Sequence, residues 1–156
     1  MNLLVHAGAG VLVGQATGNP ILAFICGLIS HIILDVIPHG DSHMYKRYKN
    51  KELSMKKAMA GTMLNAIATV IFVILIFNLG IYHTKLVTSM ALIGAIIPDV
   101  LIGIYELSLP NAPKFLRVIH KWHFKNHDLI AERYDLSFKN GLLLQVVFLL
   151  IFLVAL

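Results

Sequence analysis

The chain has 156 residues, of which 58% are hydrophobic and only 13% are charged, and its mean hydropathy is +0.78. A soluble domain usually has about 45–50% apolar and about 25% charged residues, so this composition excludes an ordinary water-soluble fold. The net charge of +5 would suggest nucleic-acid binding in a soluble protein. In so apolar a chain it indicates membrane orientation and attraction to anionic headgroups, so we expect membrane lipids as partners and no nucleic acid.

Cys26 is the single cysteine, so we expect neither a disulfide framework nor a cysteine-based zinc site. The length fits one domain, and the predicted fold class is an all-α integral membrane protein with residues 1–156 as a single membrane domain. The expected architecture is a compact bundle of about five membrane helices plus one amphipathic helix at the membrane interface.

The first 38 residues predict a helical hairpin. Residues 2–17 are apolar and lack the basic start and cleavage site of a signal peptide, so we expect this segment to be retained. Gly10 and Gly14 have the GxxxG spacing of close helix contacts, which suits packing within one chain and between two copies alike. Residues 20–37 form the return helix after a Gly-Asn-Pro turn, whose asparagine and proline are typical of a helix start.

Three further membrane helices are predicted at residues 58–79, 86–105 and 141–156. About 20 apolar residues span a hydrocarbon core of about 30 Å, so the last segment is slightly short. Residues 106–140 mix charged and aromatic side chains, and we expect an amphipathic helix there, on the cytoplasmic surface.

The basic residues predict the orientation. If the five segments alternate, all Lys and Arg residues except Lys85 fall on one side of the membrane. The positive-inside rule makes that side cytoplasmic, with the N-terminus inside and the C-terminus outside a prokaryotic inner membrane. The residues on that side are Lys46, Arg47, Lys49, Lys51, Lys56, Lys57, Lys114, Arg117, Lys121, Lys125, Arg133 and Lys139.

Histidine and aspartate side chains collect at the same predicted face. His6 lies near the start of the first helix, and His31 and Asp35, at i and i+4 in the second helix, share one helical face. Asp99, after Pro98, lies near the same end of the fourth segment. Ionisable residues inside a membrane are usually functional, and imidazoles with carboxylates can bind zinc, manganese or iron. A hydrogen-bonded His31–Asp35 pair, and Asp99 as the cap of a helix broken at Pro98, are the structural alternatives.

Two motifs outside these helices add candidates. In HKWHFKNH, His120, His123 and His127 share one helical stripe. We expect His123 and His127 to complete the metal site, with His120 as a further ligand candidate. The alternative is a basic interfacial helix whose histidines and lysines face headgroups. In PHGDSH, Gly40 predicts a tight turn, and His39 is another ligand candidate.

At SHIILDVIPHGD and GAIIPDV the chain resembles the YdjM group of bacterial inner-membrane proteins, which are described as membrane-bound metal-dependent hydrolases and are distantly similar to zinc-dependent phospholipases C. That group has an early histidine, a Ser-His-x-x-x-Asp helix and a Pro-Asp segment, although Leu101 replaces the second acid of its Pro-Asp-x-Asp pattern. The resemblance implies His6, His31, Asp35 and Asp99 as metal ligands.

These features together predict a hydrolase that binds one or two divalent cations, with zinc expected and manganese or iron as alternatives. The substrate would be a phosphoester or ester, carried by a lipid or another small molecule at the cytoplasmic face. Asp41 is the candidate general base, and Arg117, Lys121 and Lys125 are candidates for binding an anionic headgroup. The alternative is a non-enzymatic metal-binding membrane protein that handles ions or docks a partner.

Overall fold

The computed structural model describes residues 1–40, 48, 50–52 and 54–156, apart from the side chains at positions 55, 58, 128 and 131–133. Every regular element in this part of the chain is a helix, which confirms the predicted all-α class. The six helices are α1 (Leu3–Ala16), α2 (Pro20–Val36), α3 (Met55–Asn78), α4 (Lys85–Leu107), α5 (Lys114–Tyr134) and α6 (Phe138–Ala155).

Four of the six helices, α2, α3, α4 and α6, begin where a short polar side chain bonds one or more of the first free amide groups. Asn19 accepts hydrogen bonds from the amides of Ile21 and Leu22 at the start of α2, as the sequence predicts. Ser54 caps α3 and Ser137 caps α6 in the same way. Both helices therefore start three residues before the predicted starts at positions 58 and 141.

Within the described residues, three helical segments are long and apolar enough to cross a membrane: Met59–Asn78, Lys85–Leu107 and Phe138–Ala155. This number differs from the prediction of about five. The helices α1 and α2 have 14 and 17 residues. At about 1.5 Å per residue they extend about 21 and 26 Å, less than a hydrocarbon core of about 30 Å. They form the predicted hairpin, but each is shorter than a full span.

Small residues bring α1, α2 and α4 into close contact. A Cβ atom at Gly10 would lie 3.1 Å from the Cβ of Ala95, and one at Gly14 would lie 2.8 Å from the Cα of Thr88. Gly27 meets α4 at Ala91 even more closely. The GxxxG pair therefore packs α1 against α4 within one chain, and Gly27 packs α2 against the same helix.

Two features of α4 and α5 position the site. Pro98 lies inside α4 without ending it, so Asp99 is not the cap of a broken helix. The amphipathic helix expected in residues 106–140 is α5, which packs against α2 and α4. Its buried face includes Leu116, His123 and His127, whereas Trp122 is exposed. Both histidines thus point into the bundle.

Candidate metal centre

The structure brings ligands from three helices to one end of the bundle. His31 and Asp35 of α2, Asp99 of α4 and His123 of α5 each place one ligand atom within 4.8 Å of the others. His31 and Asp35 are 1% and 3% exposed. These four residues are called the four-residue group below.

The ring orientation of His31 directs its Nε2 atom toward the acids of the four-residue group. Its Nδ1 lies 2.8 Å from the backbone oxygen of Ala95, and a carbonyl oxygen only accepts hydrogen bonds, so Nδ1 carries the proton. In the neutral ring, Nε2 then carries a lone pair. A carbonyl bound to the far nitrogen is the usual support of a metal-binding histidine.

The Nε2 atom of His31 faces two carboxylates. It lies 3.0 Å from Oδ2 of Asp35 and 3.8 Å from Oδ1 of Asp99. It makes no hydrogen bond within the described part of the chain, despite being buried. A lone pair directed among carboxylate oxygens is repulsive unless a cation, either a proton or a metal ion, lies between them. The donor set therefore fits a divalent cation.

Asp35 is the centre of the cluster. Its Oδ1 accepts hydrogen bonds from the amino group of Met1 at 2.6 Å and from Nε2 of His6 at 3.0 Å. Its Oδ2 faces His31, and Nε2 of His123 lies 3.7 Å away. One oxygen is thus held by donors from the N-terminus and α1, whereas the other faces the imidazoles of the four-residue group.

His6 lies beside the four-residue group rather than in it. Its ring stacks on His31 with centroids 4.0 Å apart, and its Nε2 lies 3.9 Å from Oδ2 of Asp99. Because Nε2 also bonds Asp35, the geometry gives this predicted ligand the position of a group that orients the carboxylate.

His123 joins the four-residue group from the interfacial helix. Burial lowers its pKa to about 4, so the ring is neutral at pH 7 and can bind a metal ion without first losing a proton. The ring centroids of His123 and His31 are 5.6 Å apart. The position of His123 in the four-residue group is therefore consistent with its predicted role as a metal ligand.

The distances suit one bound ion. Zinc bonds histidine nitrogen and carboxylate oxygen at about 2.0–2.2 Å, so two ligands of the same ion lie about 3–4 Å apart. The separations from His31 to Asp35 and Asp99, and from His123 to Asp35, are 3.0, 3.8 and 3.7 Å. The mixed nitrogen and oxygen set suits zinc, and also manganese or iron.

His39 and His127 form a second group with Asp35, whose ligand atoms also lie within 4.8 Å of one another. Gly40, directly after His39, lies in a bend and has a positive φ of 85°. His120 lies elsewhere, with its Nε2 3.4 Å from Oε1 of Glu106. His120 lies one helical turn before His123 on α5, and there it faces Glu106 of α4. Only His123 and His127 of the three-histidine stripe therefore belong to the two groups.

The remaining candidates lie outside the cluster. Arg117 donates from Nε to the backbone oxygen of Ala112 at 2.9 Å and from Nη2 to that of Pro110 at 3.4 Å, so its guanidinium supports the loop before α5. Lys121 and Lys125 are exposed on the same helix. The candidate base, Asp41, lies outside the described residues. So do Lys46, Arg47 and Lys49, three of the basic residues used to predict the orientation.

Sequence reasoning missed the residues that hold the ligands in place. Gln145 of α6 is 3% exposed. It donates to the backbone oxygen of His39 at 3.1 Å and accepts from the amide of Asn2 at 2.8 Å. Asn65 of α3 donates to the Asn2 side chain at 3.1 Å, so a side-chain hydrogen bond joins α3 to the start of α1. The signal for Gln145 was a lone amide in a strongly apolar helix.

Comparison of the chain with models of known protein families, with curated proteins and with solved structures finds no match. The similarity to the YdjM group therefore stays a prediction from the two short motifs.

Proposed function

We propose that this chain is an integral membrane, metal-dependent hydrolase. Its membrane location is supported by the three helical segments that are long and apolar enough to span. In the proposed topology the basic residues other than Lys85 face the cytoplasm of a prokaryotic cell, with the N-terminus inside and the C-terminus outside. The histidine and aspartate cluster then lies at the cytoplasmic end of the bundle.

The single observation that carries the metal proposal is the orientation of His31. Its Nδ1 is occupied by the Ala95 carbonyl, while its buried Nε2 faces the oxygens of Asp35 and Asp99 without a hydrogen bond in the described part of the chain. In the proposal these three side chains and His123 hold one divalent cation, and His6 orients Asp35. Zinc is the expected ion, with manganese or iron as alternatives.

The hydrolase proposal combines this centre with its surroundings. The Asp99 side chain is 27% exposed, so one acid of the four-residue group is partly accessible on the α4 side. A divalent cation at such a site polarises a phosphoryl or acyl oxygen and lowers the pKa of water to about 7. The exposed Lys121 and Lys125 suit an anionic lipid headgroup, and Asp41 remains the proposed general base.

The test compares metal content and hydrolysis in detergent-purified protein. We expect stoichiometric metal in the wild type and loss of both metal and lipid phosphoester or ester hydrolysis in His31→Ala and Asp35→Ala. His83→Ala is the control, because this histidine is exposed in the connection between α3 and α4 and should keep both properties. Retention of metal and activity in either cluster variant would overturn the proposal.

The depth of the cluster favours one second candidate, a non-enzymatic metal-binding membrane protein. His6, His31 and Asp35 are no more than 3% exposed, as in structural metal sites that keep no open position. For this function we expect metal-dependent thermal stability with no hydrolysis of any lipid ester tested. Turnover that is lost with the metal would exclude it.

A further inference from the structure

A second group of buried ligand atoms lies beside the four-residue group. Asp35, His39 and His127 are 3%, 1% and 7% exposed, and their ligand atoms lie within 4.8 Å of one another. We infer that these three residues hold a second divalent cation and that Asp35 bridges the two ions. This inference rests on the proposed metal centre and extends it to a two-metal site.

His39 is fixed in a ligand orientation by its own backbone environment. Its Nδ1 lies 2.6 Å from the backbone oxygen of Ile37 and therefore carries the proton, which leaves the lone pair of the neutral ring on Nε2. Gln145 donates to the His39 carbonyl at 3.1 Å, and Gly141 packs directly on that carbonyl. A ligand held this firmly is preorganised for a metal ion.

His127 approaches the same point from α5. Its Nε2 lies 3.2 Å from Nε2 of His39, and the two rings are nearly perpendicular, at 82°. Two imidazole nitrogens bound tetrahedrally to one zinc ion at about 2.0–2.1 Å would be about 3.3–3.4 Å apart. The observed separation is therefore close to that of two ligands on one ion.

A direct hydrogen bond from His127 to His39 would use the same distance, but it leaves out the carboxylate. Asp35 also places an oxygen within 4.8 Å of a ligand nitrogen of each ring. A cation engages all three residues, whereas one shared proton engages two.

The arrangement of α2 and α5 makes the two ions neighbours. His123 and His127 are one turn apart on α5, with ring centroids 6.1 Å apart, and each approaches Asp35. Two-metal sites hold their ions about 3.5–4 Å apart and stabilise both the attacking and the leaving oxygen of an in-line displacement. This favours a phosphoester over a carboxylic ester as the substrate class.

Zinc stoichiometry tests the inference directly. After zinc reconstitution and removal of excess ion, we expect about two ions per chain in the wild type. We expect about one in His39→Gln and His127→Gln, and none in Asp35→Asn. His120→Gln is the matched control, because His120 lies on the same helix as His127 but pairs with Glu106, and it should keep the wild-type content.

The outcomes separate the second ion from the first. One ion in the wild type that persists in both His39→Gln and His127→Gln would overturn the second site and leave the proposed centre standing. No ion in the wild type would overturn both.

A measurement on the wild type avoids any dependence on variant folding. Two Mn²⁺ ions bridged by one carboxylate should give an exchange-coupled electron paramagnetic resonance spectrum when the second equivalent binds. A second equivalent that only doubles an uncoupled signal would overturn the shared role of Asp35.

Discussion

Replacing Gly27 with alanine should damage the site from a distance. The added Cβ would lie 3.1 Å from the carbonyl carbon of Ala91 and from the amide nitrogen of Ala95, and closer still to the Ala91 oxygen. These are backbone atoms that cannot rotate away, so α2 and α4 must separate. The separation would stretch the 2.8 Å hydrogen bond from His31 to Ala95, which sets the orientation of the ligand.

The expected loss of stability follows from three contributions. Overpacking a close helix contact destabilises by about 1–3 kcal/mol, and the alanine recovers up to about 1 kcal/mol through its higher helix propensity. Adding the weakened His31–Ala95 hydrogen bond, about 0.5–1.5 kcal/mol, gives a net loss of about 0.5–4.5 kcal/mol. Disturbing the support of a metal-binding histidine should also weaken zinc binding by about 10–100-fold.

Gly103→Ala is the matched control. Gly103 lies in α4, and apart from its chain neighbours and the nearby backbone of α4, no atom of the described residues comes within 4 Å of the position that its Cβ would take. Alanine there should therefore be neutral or stabilise by up to about 1 kcal/mol. The assay is unfolding in mixed micelles, followed by circular dichroism, together with zinc titration. Equal stability and equal zinc affinity in the two variants would refute the close-contact reasoning.

Three further substitutions test the surroundings of the site. Gln145→Ala removes two hydrogen bonds, including the one to the His39 carbonyl; we expect micellar unfolding to show a loss of about 1–3 kcal/mol, and a change below about 0.5 kcal/mol would contradict this. Asn65→Ala removes the hydrogen bonds between α3 and the start of α1 and should destabilise by about 0.6–2 kcal/mol in the same assay, whereas unchanged stability would show that these bonds contribute nothing. Replacing Lys121 and Lys125 with alanine should raise KM for an anionic lipid substrate about fivefold per lysine at low salt and leave the metal content unchanged; an unchanged KM would remove these lysines from substrate binding.

Much of the fold follows from local sequence signals. Hydropathy identifies α3, α4 and α6, and capping residues such as Asn19 mark where helices start. The number of full spans was not predictable in the same way, because α1 and α2 are mostly apolar but are cut short by the turns at their ends.

Part of the candidate ligand set was predictable because helical spacing is local. His31 and Asp35 at i and i+4 must share a face, and the structure brings Asp99 and His123 to that face. The supporting groups were not predictable, since a backbone oxygen such as that of Ala95 has no sequence signature. Packing also decides which α5 histidines reach the cluster, because helical spacing alone does not tell which of them meets Glu106.

X-ray absorption at the metal edge of the purified protein tests the central claim most directly. With zinc bound, the account predicts a first shell of nitrogen and oxygen at about 2.0–2.1 Å, with scattering from outer imidazole atoms and no sulfur at about 2.3 Å. The imidazole scattering should disappear in His31→Ala together with the bound metal. A protein without stoichiometric metal, or a shell containing the sulfur of Cys26, would contradict the account.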